Sequence, residues 1–151
     1  MGRWFSVLLV LVSVLALPDP ASGQQGGVIV GASEPPVSGF ALGSNYPNPF
    51  SVETRIPFEL FDDLFAEGRP ALVSIRIYDI LRQYVASPTT LGHPAGDGTP
   101  LVDLEYAVPG RHEAYWNGLD RSGRSVASGV YILELTVNGR SEIRRMFVGN
   151  E

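Results

Sequence analysis

The most constraining feature of the sequence is a pair of alternating apolar segments joined by Asn138-Gly139 near the C-terminus. In residues 129–137, Tyr131 and every second residue after it are apolar, and this spacing is typical of a half-buried strand. A second such segment follows at residues 141–148. Asn and Gly both tolerate the positive φ angles of a two-residue hairpin turn. The sequence therefore predicts a β-hairpin and, with it, antiparallel sheet structure.

Two upstream segments show the same period of two. Residues 54–60 and residues 72–78 each alternate between apolar and other side chains. The apolar faces consist of Ile56, Phe58 and Leu60 in the first segment and of Val73, Ile75 and Ile77 in the second. Both segments are expected to be strands with one buried face. Because Pro57 cannot donate a ladder hydrogen bond, the first strand is expected at a sheet edge.

The segments between these strands are less regular. Residues 61–70 predict either one helical turn or an acidic loop, residues 87–100 a long surface loop, and residues 101–108 a further strand. A chain of 151 residues with 17 glycines and 12 prolines fits one domain of short strands and tight turns. We predict the all-β class and, over residues 40–151, an immunoglobulin-like antiparallel β-sandwich of about seven strands.

The N-terminus has the composition of an export signal. Arg3 precedes a nearly uninterrupted apolar run over residues 7–17, which is too short to cross about 30 Å of hydrocarbon as a helix. Small residues at positions 21 and 23 suit a signal peptidase. We predict that residues 1–23 are a cleaved signal peptide and residues 24–39 a flexible linker. The product is expected to cross the inner membrane to the periplasm, cell surface or exterior, with no integral membrane segment after cleavage.

The residue types that are missing exclude several kinds of chemistry. All 11 basic residues are arginine, and cysteine is absent. Without lysine there is no phosphate-binding P-loop and no Schiff-base enzyme; without cysteine there is no thiol catalysis, disulfide or thiolate zinc site. A net charge of −5 disfavours nucleic acid as a partner, because it repels phosphate backbones.

The remaining reactive side chains form no recognisable catalytic pattern. His93 is expected in a loop and His112 in a turn, and neither has the spacing of a zinc peptidase motif. Acidic residues at positions 59, 62, 63, 67, 97, 103 and 120 lack a calcium-loop pattern, so solvated charge is favoured over a calcium site or a carboxylate pair. Three tyrosines are expected either to form a contact surface for carbohydrate or protein or, more commonly, to pack in the core or on a strand face: Tyr84, Tyr106 and Tyr115. We predict no catalytic residue, cofactor or metal.

Three groups of residues together resemble a known family. They are Tyr46, Pro47, Asn48, Pro49 and Phe50; then Ile77, Tyr78 and Asp79; then Trp116, Asn117, Gly118, Leu119, Asp120, Arg121, Ser122 and Gly123, followed by Ser128, Gly129, Val130 and Tyr131. The family is the immunoglobulin-like C-terminal domain shared by type IX secretion cargo, where it is the sorting domain, and by the flagellar hook-capping protein. The similarity spans about residue 42 to the C-terminus.

Each group also has a structural interpretation of its own. The two prolines stiffen their segment, so that Tyr46 and Phe50 are expected to be anchors that plug one end of the sandwich. Asp120 is expected to accept backbone hydrogen bonds across its loop. Gly129 is expected to permit a bulge or a close backbone approach at the start of a strand. All of these are scaffold or recognition roles rather than catalytic ones.

Two residues depart from the family pattern. Asn117 stands where the family usually has Asp, which keeps turn chemistry but removes a charge. Arg82 stands where a turn glycine is common, and a positive φ there would cost about 1 kcal/mol.

The resemblance implies a non-enzymatic exported module. The outer-membrane type IX machinery would recognise the folded domain, including its last hairpin at residues 131–148, for delivery to the cell surface. The alternative is a stand-alone structural or adhesive module of the periplasm or surface, so the expected partners are secretion machinery or envelope proteins. A hook-capping role is less favoured because it would not need the leader, and an enzyme is the least favoured class.

Overall fold

The structure is a computed structural model and describes residues 39–149. The predicted signal peptide and all of the predicted linker except Gly39 lie outside the described residues. The strands are β1 (Phe40–Leu42), β2 (Thr54–Leu60), β3 (Ala71–Tyr78), β4 (Tyr84–Ala86), β5 (Thr89–Leu91), β6 (Leu104–Tyr106), β7 (Gly110–Trp116), β8 (Gly129–Val137) and β9 (Arg140–Val148). A 3₁₀ turn over Asp62–Phe65 follows β2.

The strands form two antiparallel sheets that pack face to face. The first sheet has the order β1-β2-β7-β5, and the second has the order β4-β3-β8-β9 with β6 also paired to β3. The predicted all-β class and antiparallel β-sandwich are therefore confirmed. Residues 39–149 contain nine strands rather than about seven. The excess arises because β1, β4, β5 and β6 have three residues each, too few for a period of two to be visible.

The core consists of the inward-facing positions of both sheets. From β3 and β8 it receives the apolar faces that the sequence predicted, and from β2 it receives Ile56, Phe58 and Leu60. The hairpin of β8 and β9 pairs without a register shift from Gly129 and Val148 to Val137 and Arg140. Its turn has φ angles of 48° at Asn138 and 81° at Gly139, which confirms the predicted two-residue hairpin.

The prediction that Pro57 marks an edge strand is wrong, because β2 lies between β1 and β7. The Pro57 carbonyl accepts a hydrogen bond from the Gly43 N–H at 2.8 Å, on the β1 side. The nitrogen and carbonyl of one residue in an antiparallel strand point the same way, so the ring nitrogen faces away from β7. β1 itself pairs only with residues 58–60. Pro57 therefore removes no hydrogen bond from the β2–β7 ladder.

The irregular segments place their strands differently from the sequence prediction. The segment at 87–100, predicted to be a loop throughout, includes β5, which pairs with β7. The predicted strand at 101–108 is reduced to β6, although Leu101 is fully buried. Residues 61–70 contain the 3₁₀ turn, one of the two forms predicted there.

Candidate functional site

The three groups of motif residues converge on one end of the sandwich, which we call the motif end. Phe50 of the first group and Trp116 and Tyr131 of the third group are all buried. The ring centroids of Phe50 and Trp116 are 5.4 Å apart, and those of Trp116 and Tyr131 are 6.1 Å apart, both edge-on. Ile77 is fully buried in β3 of the same core. The motif residues thus include a continuous aromatic ladder across the two sheets.

The polar atoms of this ladder have partners in neighbouring loops. The Trp116 Nε1–H donates to the Leu119 carbonyl at 3.0 Å, and the Tyr131 hydroxyl donates to the Ala127 carbonyl at 2.7 Å. Buried aromatic rings therefore fix the loop between β7 and β8 from both of its ends.

Phe50 anchors its segment as expected, but Tyr46 does not. Tyr46 is 46% exposed and pairs with Arg55 in an isolated bridge beside β2. Its hydroxyl donates to Glu113, and this hydrogen bond raises the pKa of Tyr46. The prediction that Tyr46 is an anchor that plugs the end of the sandwich is therefore wrong. The physical reason is that pairing with Arg55, itself exposed, puts Tyr46 at the solvent-facing side of the first sheet.

The segment at residues 46–50 also pairs with the free edge of β9. The Phe147 N–H donates to Asn48 Oδ1 at 2.9 Å, and the Phe50 N–H donates to the Phe147 carbonyl at 3.1 Å. The Gly149 N–H then donates to the Phe50 carbonyl at 2.7 Å. Pro47 and Pro49 flank Asn48, and the Pro47 carbonyl accepts a hydrogen bond from Thr54 Oγ1 at 2.9 Å. The first motif therefore holds the last strand in place.

Two motif carboxylates organise tight turns. Asp79 Oδ1 accepts hydrogen bonds from the Leu81 and Gln83 N–H groups at 2.8 and 2.9 Å. Asp120 Oδ1 accepts from the N–H groups of Ser122 and Arg124 at 2.8 and 3.1 Å, and from the Ser122 hydroxyl at 2.6 Å. These hydrogen bonds lower the pKa of Asp120 to about 2, and the hydrogen bond from the Ser122 hydroxyl makes the largest contribution. The predicted loop role of Asp120 agrees with this geometry.

Arg82 adopts the positive φ considered above, at 63°. Its guanidinium lies over the Tyr78 ring, 5.4 Å from the centroid, and 3.7 Å from a Glu134 carboxylate oxygen. A cation–π contact and an ion pair thus accompany an arginine with a positive φ.

The third motif group shapes the loop after β7. Asn117 Oδ1 accepts a hydrogen bond from the Leu119 N–H at 3.2 Å, so it supports the turn without a charge. Gly118 has a φ of 69°, and a Cβ there would lie 2.9 Å from the Val52 carbonyl oxygen. The Gly123 N–H donates to the Asp120 carbonyl at 2.9 Å.

The prediction for Gly129 is wrong. The β8–β9 ladder has no register shift there, and a Cβ would meet no atom within 4 Å. Gly129 instead starts the strand with a φ of 152°, which residues with a side chain rarely adopt, and Val130 faces outward and is half-buried. Gly129 pairs in register with Val148, so β8 has no extra residue there that would form a bulge.

The outer surface of the last hairpin carries exposed apolar side chains, and we call it the hairpin face. It comprises Val130, Ile132 and Glu134 of β8 and Ile143, Arg145 and Phe147 of β9. Ile143 is 51% exposed and Phe147 is 44% exposed, and Arg145 lies between them along the strand. Residues 143, 145 and 147 point away from the core because Met146 and Val148, which alternate with them along β9, are buried in it.

At the opposite end of β7, aromatic and histidine rings meet in what we call the histidine end: His93, Tyr106, His112 and Phe58. The Tyr106 ring is 4.6 Å from each histidine ring and 5.7 Å from Phe58, centroid to centroid. His112 lies in β7 rather than in the predicted turn, and Tyr106 is only 4% exposed. Burial lowers the pKa of His112, with a smaller effect of His93, and burial raises the pKa of Tyr106 to about 12.

The other two tyrosines considered in the sequence are less buried. Tyr84 is 37% exposed and stacks edge-on with Tyr78, and the Tyr115 hydroxyl donates to Glu53 at 2.6 Å.

The acidic residues outside the motif serve separate local contacts. Glu59 lies 3.5 Å from Arg111, Asp97 accepts a hydrogen bond from the Gly92 N–H, and Asp103 accepts one from Ser74. Among residues 39–149, no three His, Asp or Glu side chains are grouped in a way that would hold a metal ion. In the same part of the chain, no helix is long and apolar enough to span a bilayer.

Comparisons with known proteins add one structural similarity. No family model matches the sequence, and no curated protein matches it. Among solved structures, the chain is similar to dimeric latent PorU from Porphyromonas gingivalis, with a TM-score of 0.48 and 17% sequence identity. The match covers 74% of this chain and 9% of PorU.

Proposed function

We propose that this chain is an exported, non-enzymatic module that the outer-membrane type IX secretion machinery recognises for delivery to the cell surface. The observation that carries the proposal is the placement of the motif residues. Those that resemble the sorting-domain family form one scaffold, in which residues 48–50 hold the edge of β9. Their contacts are packing and turn hydrogen bonds, which stabilise a surface to be recognised.

The hairpin face is the surface that we assign to this recognition. It lies on β8 and β9, and residues 48–50 hold β9, so the motif end fixes its orientation. Exposed Ile143 and Phe147 supply apolar area, and Arg145 between them supplies a charge that orients a partner. Because the hairpin is folded, the hairpin face presents these side chains at fixed spacings.

The test uses the chain behind its own leader, fused to a reporter in a bacterium with a type IX system. Ile143→Ser combined with Phe147→Ser removes the apolar part of the hairpin face and leaves buried Met146 and Val148 intact. A matched control, Val52→Ser combined with Val102→Ser, removes two side chains of similar exposure, 56% and 43%, elsewhere on the domain. Far-ultraviolet circular dichroism and thermal unfolding verify that both variants fold.

We expect the wild-type fusion and the control variant to appear at the cell surface, and the hairpin-face variant to accumulate in the periplasm. Surface delivery of the folded hairpin-face variant at the wild-type level would contradict the proposed contact surface.

The same exposed apolar pair also favours a second function, a stand-alone adhesive or structural module of the envelope. In that case the wild-type chain stays in the periplasm or binds another envelope protein, and it does so equally in strains without type IX components. Cross-linking through position 143 in both strains distinguishes the two functions.

A further inference from the structure

Strand β9 ends the second sheet, and only part of its outer edge is covered. The sheet order places β8 on one side of β9 and no strand of the described residues on the other. The Phe147 N–H and carbonyl point to that outer side, where they bond to Asn48 and Phe50. Because the direction of these groups repeats every second residue in an antiparallel pair, the backbone groups of Ile143 and Arg145 point the same way. The first motif therefore covers only the C-terminal end of this edge.

Two residues of the edge, Ile143 and Arg145, keep unused backbone hydrogen-bonding groups. Among the described residues, their outward N–H groups and carbonyls have no hydrogen-bond partner. The adjacent edge of β1 differs, because the Leu42 N–H donates to Glu142 Oε2 at 2.8 Å and the Leu42 carbonyl accepts from Arg144. Side chains of β9 therefore close the edge of β1, whereas β9 itself is open to one further strand.

The side chains of β9 are basic, although the chain as a whole is acidic. Arg140, Arg144 and Arg145 lie in this strand with one acid, Glu142, so the strand has a net charge of +2, against −5 for the chain. Within residues 39–149, neither Arg140 nor Arg145 forms an ion pair. Pairing with β9 of a second copy would bring two strands of the same net charge together, which is unfavourable. An acidic strand has the complementary charge.

We propose that the outer edge of β9 at residues 141–145 binds an extended acidic segment of another protein, which adds to the sheet as an antiparallel strand. Main-chain hydrogen bonds would supply affinity, and the arginines would supply specificity. In the register we propose, a β-branched residue lies opposite Ile143 and acidic residues lie opposite Arg144 and Arg145. The site is the edge of the sheet rather than the hairpin face, and the inference does not depend on the proposed function.

The experiment titrates the full chain with the capped peptide Glu-Glu-Val-Thr-Ser, whose valine lies opposite Ile143 in this register. The matched peptide Gln-Gln-Val-Thr-Ser lacks the charges. We expect the Glu peptide to bind about fivefold more tightly at pH 7, and this difference should fall as sodium chloride is added. On binding, hydrogen exchange should slow at the Ile143 and Arg145 amides and change little at the Glu142 and Arg144 amides, which face β8.

N-methylation of the peptide tests the backbone contact without altering the protein. A methyl group on the valine nitrogen, which faces β9, should weaken binding at least about tenfold, whereas one on the threonine nitrogen, which faces away, should change it less than about twofold. Arg145→Gln should weaken the Glu peptide about two- to threefold. The control is Arg124→Gln, in the loop after β7, where the side chain is 80% exposed, and it should leave the affinity unchanged.

Equal affinities for the Glu and Gln peptides would overturn the proposal, since the arginines would then play no part. Equal effects of the two N-methyl groups would also overturn it, because the bound peptide would not be paired as a strand. Slow exchange of the Ile143 amide before any peptide is added would show that the edge is already occupied, and this too would overturn it. Protection that rises with protein concentration would identify a second copy as the occupant.

Discussion

The two ends of the sandwich bury similar rings, but they differ in whether the polar atoms of those rings have hydrogen-bond partners. At the motif end, Trp116 Nε1 and the Tyr131 hydroxyl both donate to carbonyls of the adjoining loop. At the histidine end, the Tyr106 hydroxyl and His112 Nε2 have no partner within residues 39–149. A third unpaired atom in that range, Asn45 Oδ1, lies next to the first motif, but its Nδ2 bonds to Pro47 and Thr54.

This difference in hydrogen bonding affects how much each end contributes to the stability of the fold. A buried hydroxyl with a partner stabilises the fold modestly, whereas one without a partner costs free energy until something supplies the hydrogen bond. The motif end is therefore closed by its own loops, whereas the histidine end keeps two buried polar atoms without a partner among the described residues. The family resemblance lies in residues of the closed end.

The largest predicted effect concerns the aromatic ladder. Phe50→Ala removes a buried ring from Trp116 and should lower the free energy of unfolding by about 3–5 kcal/mol, measured by urea denaturation. It should also speed hydrogen exchange at the Phe147 and Gly149 amides, which residues 48–50 hold. Phe58→Ala at the histidine end should cost a similar amount without that local effect. If both variants changed exchange on β9 equally, the two ends would not be independent.

A smaller effect tests the turn that closes the motif end. Gly118→Ala combines a φ of 69° with a contact of 2.9 Å to the Val52 carbonyl, so it should destabilise the domain by about 2 kcal/mol or more. The control is Gly123→Ala, where φ is 79° but a Cβ meets no atom within 4 Å, and the cost should be about 1 kcal/mol. Equal losses in thermal unfolding would contradict the role of the Val52 contact.

The sequence was sufficient to predict the long strands because their alternation extends over seven or more residues. β2, β3 and the β8–β9 hairpin were predicted within one residue of their observed ends, and Asn138-Gly139 fixed the turn. The short strands β1, β4 and β5 could not be predicted, because their pairing depends on neighbours distant in sequence, and β6 was predicted only as part of a longer strand at 101–108. The edge position of Pro57 was wrongly predicted for the same reason, because the effect of its missing N–H depends on which side of β2 each partner strand occupies.

The histidine end shows what the sequence could not reveal. His112 and Tyr106 are six positions apart in the chain but belong to different sheets, so their contact depends on how the sheets face each other. A weak signal was present: His112, Ala114 and Trp116 alternate, which favours a strand with His112 on the inner face. The motif end was easier, because the resemblance named its residues, although the exposure of Tyr46 was not foreseen.

A matched pair of hydroxyl deletions compares the two ends directly. Tyr131→Phe removes the hydrogen bond to Ala127 and should cost about 1 kcal/mol. Tyr106→Phe removes an unpaired buried hydroxyl and should be neutral or slightly stabilising. Urea denaturation of both variants at pH 7.5 measures the difference, and a loss on Tyr106→Phe as large as that on Tyr131→Phe would show that its hydroxyl has a partner.

The smallest expected effect is in the pH dependence of stability, where each end contributes one step. Burial holds the pKa of His112 below its ordinary 6.5, so the unfolded chain takes up a proton that the folded chain refuses. The free energy of unfolding should therefore fall as pH drops below about 6.5. The pKa of Asp120 is lowered from 3.8 to about 2, so a second loss should follow as pH falls from about 4 toward 2. His112→Phe should remove only the upper step and Asp120→Asn should reduce only the lower one, measured as urea midpoints between pH 8 and pH 2. An upper step that persists in His112→Phe would contradict this assignment.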